Sequence, residues 1–263
     1  MSDKREDHNE LIAKEFSKQV NYFDQPGTNL CREDIMDWIV DRLPLHPEMV
    51  VLDVASGTGI LARGMTRFVK HVTALDYTQE MLDKGKSIAA RDQITNIEFI
   101  QGDAEKLPFA ADSFRLVTCR YAFHHFEEYS LKMNEMMRVC QENGWVAVCD
   151  IVTENPEMYE KYNHFERLRD PSHTYCLTHE KLQNLFIDSG LLIVRNESRD
   201  LSVEFETWYN MGSMSDNLEV KNTIINALEN ELKGGEKTGM RPYMKDGKLH
   251  FLQAINIIVG KKH

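Results

Sequence analysis

Charged side chains recur at the ends of short apolar runs, and their types and spacing define the chemistry on offer. Asp53 closes the valine-rich run 50–54, Asp76 closes 72–75, Asp103 follows 97–101 and Arg120 follows 114–119. Between Asp53 and the next apolar stretch lies Ala55-Ser56-Gly57-Thr58-Gly59. Glycines in such a turn adopt positive φ freely and let the backbone approach a ligand. A helix starting there presents free N–H groups. The first expectation is a strand–loop–helix site for a small nucleoside-containing ligand. Gly57-x-Gly59-x-x-Ala62, with Asp76 about 20 residues on, also satisfies the dinucleotide fingerprint, which keeps a nicotinamide-dependent oxidoreductase in play. Three features point elsewhere. Asp53 directly before the loop repels a pyrophosphate but suits a cationic or ammonium-bearing ligand, Asp103 closes a third strand, and no second catalytic domain follows. Taken singly, Asp76 and Asp103 also read as helix caps or turn residues.

His124 and His125 follow the fourth apolar run, inside Phe123-His124-His125-Phe126. A neutral imidazole with a pKa of about 6.5 makes a suitable base. The plainer reading is a packing corner. Adjacent residues diverge, and no third ligand stands at metal spacing, so no metal site is expected. A second polar aromatic cluster is Arg167-Leu168-Arg169-Asp170-Pro171-Ser172-His173-Thr174-Tyr175. It reads either as a substrate-facing segment, with Arg167, His173 and Tyr175 as contacts, or as a solvated loop. Tyr22 and Phe23 close the site from the N-terminal side or belong to the core. Met211, Met214, Met240 and Met244 line an adaptable pocket or, more plainly, fill a core.

The elements that must position these groups follow from periodicity. Residues 1–10 are polar and expected to fray. Leu11, Ile12, Phe16 and Val20 mark an amphipathic helix, and 32–43 a second, stopped by Pro44 and Pro47. Helices near 59–68 and after Thr78, a presumed cap, alternate with the apolar runs. Asn143-Gly144 reads as a turn before a fifth strand at 145–151. Five strand–helix alternations imply right-handed crossovers and a parallel sheet covered on both faces. Ligands bind such sheets at the carboxyl ends of the strands. Beyond 153 the texture changes. A helix follows Thr178, a strand begins at 191 and extends as far as 203, 205–234 is helical with a break near 212–215, and 249–259 closes the chain after the turn Asp246-Gly247.

Composition narrows the partners. The 263 residues carry 42% hydrophobic side chains, enough for a sizeable core, and a net charge of −11. That charge argues against nucleic acid and against an anionic membrane. Five cysteines, none in a CxxC pair, fit a reduced, cytoplasmic setting. No apolar run is long enough for a membrane span, and the first residues lack a signal-peptide core.

The ordered set Leu52-Asp53-Val54-Ala55-Ser56-Gly57-Thr58-Gly59, then Asp76, then Gly102-Asp103-Ala104-Glu105-Lys106-Leu107-Pro108-Phe109, then Asp112-Ser113-Phe114 running to Val117, resembles class I S-adenosylmethionine-dependent methyltransferases over residues 48–190. Within that class it looks most like the small-molecule branch of the ubiquinone/menaquinone-biosynthesis type. Ala55 stands where glycine is usual, a departure that recurs in that branch. The resemblance implies an α/β fold: a Rossmann-like, seven-stranded, mostly parallel sheet whose last strand is antiparallel, helices on both faces, N-terminal helices, and a helical insertion before the last strand. It implies one methyltransferase domain over 1–263, with 1–47 as a helical lid, 48–152 as the cofactor core, and 153–177 and 205–248 covering the substrate. It implies S-adenosylmethionine as cofactor, released as S-adenosylhomocysteine. Asp53 then orients the loop or reaches the methionine amine, and Ala55, Gly57 and Gly59 pack under the cofactor. Asp76 takes the ribose hydroxyls, Tyr77 and Met81 flank the adenine, Asp103 and the Ala104 backbone meet its amino edge, and Arg120 sits at the methionine end. The expected activity is in-line methyl transfer to a small molecule, with His124 or His125 as base. Quinone-ring C-methylation and a non-catalytic S-adenosylmethionine-binding module stand as alternatives. These motifs specify neither the acceptor atom nor an oligomeric state.

Overall fold

A computed structural model of the chain describes residues 2–20, 23–24 and 28–263. The branched apolar runs form β1 (Val50–Val54), β2 (His71–Asp76), β3 (Ile97–Gln101), β4 (Phe114–Arg120) and β5 (Cys140–Val152). These five pair in parallel in the order β3-β2-β1-β4-β5. Strand β8 (Lys248–Lys261) then runs antiparallel between β5 and the edge strand β6 (Leu192–Glu204). A short β7 (Pro242–Lys245) folds back on β8 across the Asp246-Gly247 turn.

Side-chain alternation divides the sheet into two faces. Val51, Val72, Ala74, Leu116, Ala147 and Cys149 face one core, shared with α2 (Glu33–Val40), α3 (Ile60–Met65), α6 (Tyr159–Arg169), α8 (Phe205–Asn210) and α9 (Leu218–Leu232). Leu52, Val54, Leu75, Val117, Cys119 and Val148 face the other, shared with α5 (Tyr129–Val139) and α7 (His179–Asp188). Each such side chain buried completely is worth about 1.5–3 kcal/mol. The first strand lies between β2 and β4, so the winding direction reverses beside it, and a crevice opens at the carboxyl ends of the strands there. Helix α1 (Ser2–Gln19) borders it and packs on α4 (Gln79–Arg91). Among the described residues no helix is long and apolar enough to cross a membrane.

Several local expectations are corrected. Residues 2–10, expected as an irregular leader, belong to helix α1, which begins at Ser2. Asn143-Gly144 is not a turn between elements but lies within β5, where Asn143 has φ +57° and the register with β4 shifts between Phe114 and Leu116. Thr78 precedes α4 without capping it through its side chain, and both its N–H and its hydroxyl are turned to Asp76. Strand β7 carries no alternation in its four residues and exists through its pairing with β8.

Candidate active site

The loop after β1 is wound tightly by three consecutive alternate residues with positive φ: Ala55 (+52°), Gly57 (+56°) and Gly59 (+75°). Gly59 caps α3, and a Cβ there would stand 2.9 Å from the Phe99 ring. Gly85 of α4 is as crowded, with a Cβ falling 2.5 Å from Phe99 and 2.6 Å from the Thr58 carbonyl. Phe99 of β3 is therefore the anvil on which loop and helix are set. Asp76, at the end of β2, ties the loop from the other side by accepting the Gly57 N–H at 2.7 Å.

Beside this loop lies a cavity of about 180 Å³. Of the residues expected to bind a cofactor, Ala55, Gly57, Asp76, Tyr77, Asp103, Ala104 and Arg120 line it. Asp53, Gly59 and Met81 do not. Asp53 is buried behind the loop, where its carboxylate accepts the Thr118 hydroxyl at 2.7 Å, and Met81 is packed in the core. Burial pushes the Asp53 carboxyl up to about 7 despite that hydrogen bond. Burial likewise raises Asp76, against the Thr78 and Gly57 N–H groups that favour its charged form. Asp103 turns the chain by accepting the Glu105 N–H at 2.8 Å.

This wall suits a nucleoside with a polar tail. Asp76 Oδ2 accepts the Gly57 N–H and Oδ1 the Thr78 N–H, and its carboxylate lines the cavity. Ser56 Oγ, Arg120 Nε and Tyr121 OH are buried beside the cavity without a partner among the described residues. Arg120 is held by Nη2 donating to the Leu30 carbonyl at 2.8 Å, with its guanidinium 4.4 Å over the Tyr121 ring. Tyr121 takes φ +53°, a conformation a bulky residue adopts only under constraint.

His124 and His125 both line the cavity, on the short turn that follows β4. His124 Nδ1 lies 2.5 Å from Asp150 Oδ1, and the other Asp150 oxygen accepts the Phe123 N–H at 2.7 Å. Burial opposes the imidazolium, but Asp150 overcomes it and raises His124. His125 differs. Its Nδ1 donates to the Ser172 carbonyl at 3.1 Å, and burial together with His124 lowers it to about 4. At neutral pH His125 is therefore neutral, with the proton on Nδ1 and a bare Nε2. Neither Nε2 has a protein partner among the described residues, nor is either a sealed polar atom, so both open to the cavity.

The proposed substrate contacts fare unevenly. Phe23 lines the cavity and packs on Phe16, with ring centroids 5.6 Å apart. Tyr22 lies outside the described residues. Arg167, His173 and Tyr175 do not reach the cavity. Arg167 donates to the Thr174 carbonyl and covers Tyr175, Tyr175 stacks on Tyr159, and His173 is buried against Asn163 at 2.8 Å. The same segment presents Arg169 and Asp170 instead. Helix α1 contributes Ile12, Phe16 and Gln19, the later insertion Thr207, Trp208 and Met211, and β8 Gln253. Met240 is core and Met244 exposed. Sequence reasoning missed Trp208 and Gln253, for which no local pattern exists. Asp170 carried a signal, since it ends the α6 pattern inside the cluster already singled out.

Comparison with known proteins adds to the geometry. The profile of the methyltransferase domain matches residues 45–222. The uncharacterised methyltransferase YcgJ of Bacillus subtilis is 34% identical over 198 residues, 75% of this chain and 78% of that protein. The YcgJ crystal structure superposes with a TM-score of 0.79 at 27% identity, covering 88% of this chain and 99% of that one. A demethylmenaquinone methyltransferase of Chlorobaculum parvum is 38% identical over 117 residues, 44% of this chain and 46% of that protein.

Proposed function

This chain belongs to the methyltransferase-domain family, and on that premise we propose that it methylates a small-molecule acceptor by in-line displacement, with His125 receiving the acceptor's proton. It is an S-adenosylmethionine-dependent enzyme. Bound there, the cofactor supplies an activated methyl carbon on a sulfonium. The chain's own residues do the rest. Asp76 accepts the ribose hydroxyls, and charge-assisted hydrogen bonds of this kind contribute about 1.5–3 kcal/mol each. Asp103 and the Ala104 backbone hold the adenine edge, with Tyr77 against the ring. Arg120 answers the methionine end. Asp53, fixed to Thr118, sets the loop from behind without touching the ligand.

The observation that carries the catalytic reading is the bare Nε2 of His125 in the cavity. Alignment of nucleophile and methyl supplies roughly 7–11 kcal/mol, and the base is needed where the acceptor holds its proton, as an ammonium or phenol does. The divisions of the chain fit this role. Residues 1–47 close over the site through α1, 48–152 carry the cofactor, and 153–177 and 205–248 contribute Asp170 and Trp208 to the acceptor end.

The test is transfer of an isotope-labelled methyl group from S-adenosylmethionine to a small-molecule extract, followed by mass spectrometry. His125→Gln is expected to slow transfer at least a hundredfold, with cofactor affinity within twofold. An unchanged rate removes His125 from the role of base. The demethylmenaquinone methyltransferases among the relatives favour a second reading, C-methylation of a quinol ring. The match to the Chlorobaculum parvum protein spans less than half of each chain, so the reading is tested directly by offering demethylmenaquinol.

A further inference from the structure

The acceptor end of the cavity presents three hydrogen-bond acceptors, with Arg169 and Trp208 in the same wall. Asp170 is 3% exposed and lines the cavity, yet no lysine, arginine or histidine forms an ion pair with it among the described residues. Its Oδ1 takes the Ser172 N–H at 3.0 Å and the Ser172 hydroxyl at 2.6 Å. Its Oδ2 has one contact, the Gln19 amide at a long 3.4 Å. Burial disfavours this carboxylate, while the positive charge of Arg169 and the two Ser172 donors favour its ionised form. Buried charges are normally paired, because an unpaired one forfeits its hydration. Arg169 does not pair it directly, since that guanidinium bonds Glu166 at 3.2 Å and lies over Trp208.

Gln253 supplies a second acceptor, and its orientation is settled by its neighbours. Its amide nitrogen donates to Tyr162 OH at 3.1 Å and to the Glu166 carboxylate at 3.2 Å. A carboxylate only accepts, so Nε2 must face Glu166 and Oε1 must face away. Oε1 has no protein partner among the described residues and is not sealed, which leaves the cavity. The bare Nε2 of His125 is the third acceptor. Around them stand Phe16, Trp208 and Met211.

From this wall we infer that the acceptor substrate is a cationic amine on an apolar body, its ammonium group bound by Asp170 Oδ2 and Gln253 Oε1. The inference rests on the reading of the cavity as a methyltransferase site. An ammonium presents three donors and one positive charge, which satisfies the unpaired carboxylate and the acceptor-only amide oxygen together. A carboxylate-bearing ligand of the same shape meets like charge at Asp170.

The test uses the full chain saturated with S-adenosylhomocysteine, titrated calorimetrically with 2-phenylethylamine, 2-phenylethanol and 3-phenylpropionate. The amine is expected to bind at least tenfold more tightly than the carboxylate. Asp170→Asn should cut amine affinity at least tenfold and Gln253→Leu at least threefold, each with S-adenosylhomocysteine affinity within twofold of the parent and an unchanged melting temperature. Equal or tighter binding of the carboxylate overturns the inference, as does failure of all three probes to bind a complex that holds S-adenosylhomocysteine. If Asp170→Asn weakens S-adenosylmethionine but neither S-adenosylhomocysteine nor the amine, the carboxylate serves the sulfonium and the inference fails. Failure of S-adenosylhomocysteine itself to bind strikes the methyltransferase site instead.

Discussion

At the scale of single residues, two carboxylates and two histidines carry the account, and their environments divide the labour. Asp76 ties the loop through the Gly57 and Thr78 N–H groups and lines the cavity, where the proposed function gives it the ribose. Asp76→Ala is expected to weaken S-adenosylmethionine at least tenfold, about 1.4 kcal/mol by titration calorimetry. Unchanged affinity removes its ribose role. The histidines are neighbours in sequence but opposites in chemistry, since Asp150 holds the His124 proton and burial strips His125 of a second one. The sign of the pH dependence follows. His124 is raised in the folded state, so its stabilising contribution is fully present below the unfolded value of about 6.5 and is lost as pH rises through the raised folded value. Asp150→Asn should therefore cost about 3 kcal/mol at pH 6 and measurably less at pH 9 in urea unfolding. Equal costs at both pH values show that Asp150 acts only through its backbone hydrogen bonds. His125, lowered to about 4, should stay neutral throughout, so kcat/KM should fall on acidification only near that value.

At the scale of elements, the site depends on how β3 and α4 press the loop. Phe99 sits against both Gly59 and Gly85, so the first βα unit and the second are locked through one ring. A methyl group at position 85 meets the Thr58 carbonyl, backbone that cannot turn aside. Gly85→Ala is expected to destabilise the fold by about 1–3 kcal/mol and to lower the melting temperature by about 2–4 °C per kcal/mol, with cofactor affinity falling as the loop shifts. A melting temperature equal to the parent's argues that α4 does not clamp the loop. This is also where the sequence was most legible. Loop, strand-end acids and histidine turn are each local patterns of a few residues, so their positions along the chain sufficed to place them at one sheet edge. The acceptor end was not legible. Arg167, His173 and Tyr175 had the right residue types, but the C-terminal turn of α6 points Asp170 into the cavity and packs His173 against Asn163. Which face of a short polar helix turns inward is decided by tertiary packing, and Trp208 and Gln253 come from elements far along the chain whose local sequence reads as core.

At the scale of the whole molecule, the sheet brings four stretches of chain to one crevice. The core contributes Asp76, Asp103 and Arg120 to its wall, α1 contributes Phe16, and the segment after β5 and the insertion between β6 and β8 contribute Asp170 and Trp208. Helix α1 is bound to this arrangement through His8 Nε2 and the His125 carbonyl at 2.9 Å, and through Phe16, whose ring meets His125 edge-on at 5.0 Å. The central claim is that one cavity holds the cofactor on Asp76 and opens its reacting end toward His125 and Asp170. The most direct measurement is a crystal structure of the chain with S-adenosylhomocysteine. The prediction is ribose hydroxyls on Asp76, adenine between Tyr77 and Asp103, and a sulfur whose open side faces His125. A ligand seated elsewhere, or a sulfur turned away from His125 and Asp170, contradicts the account.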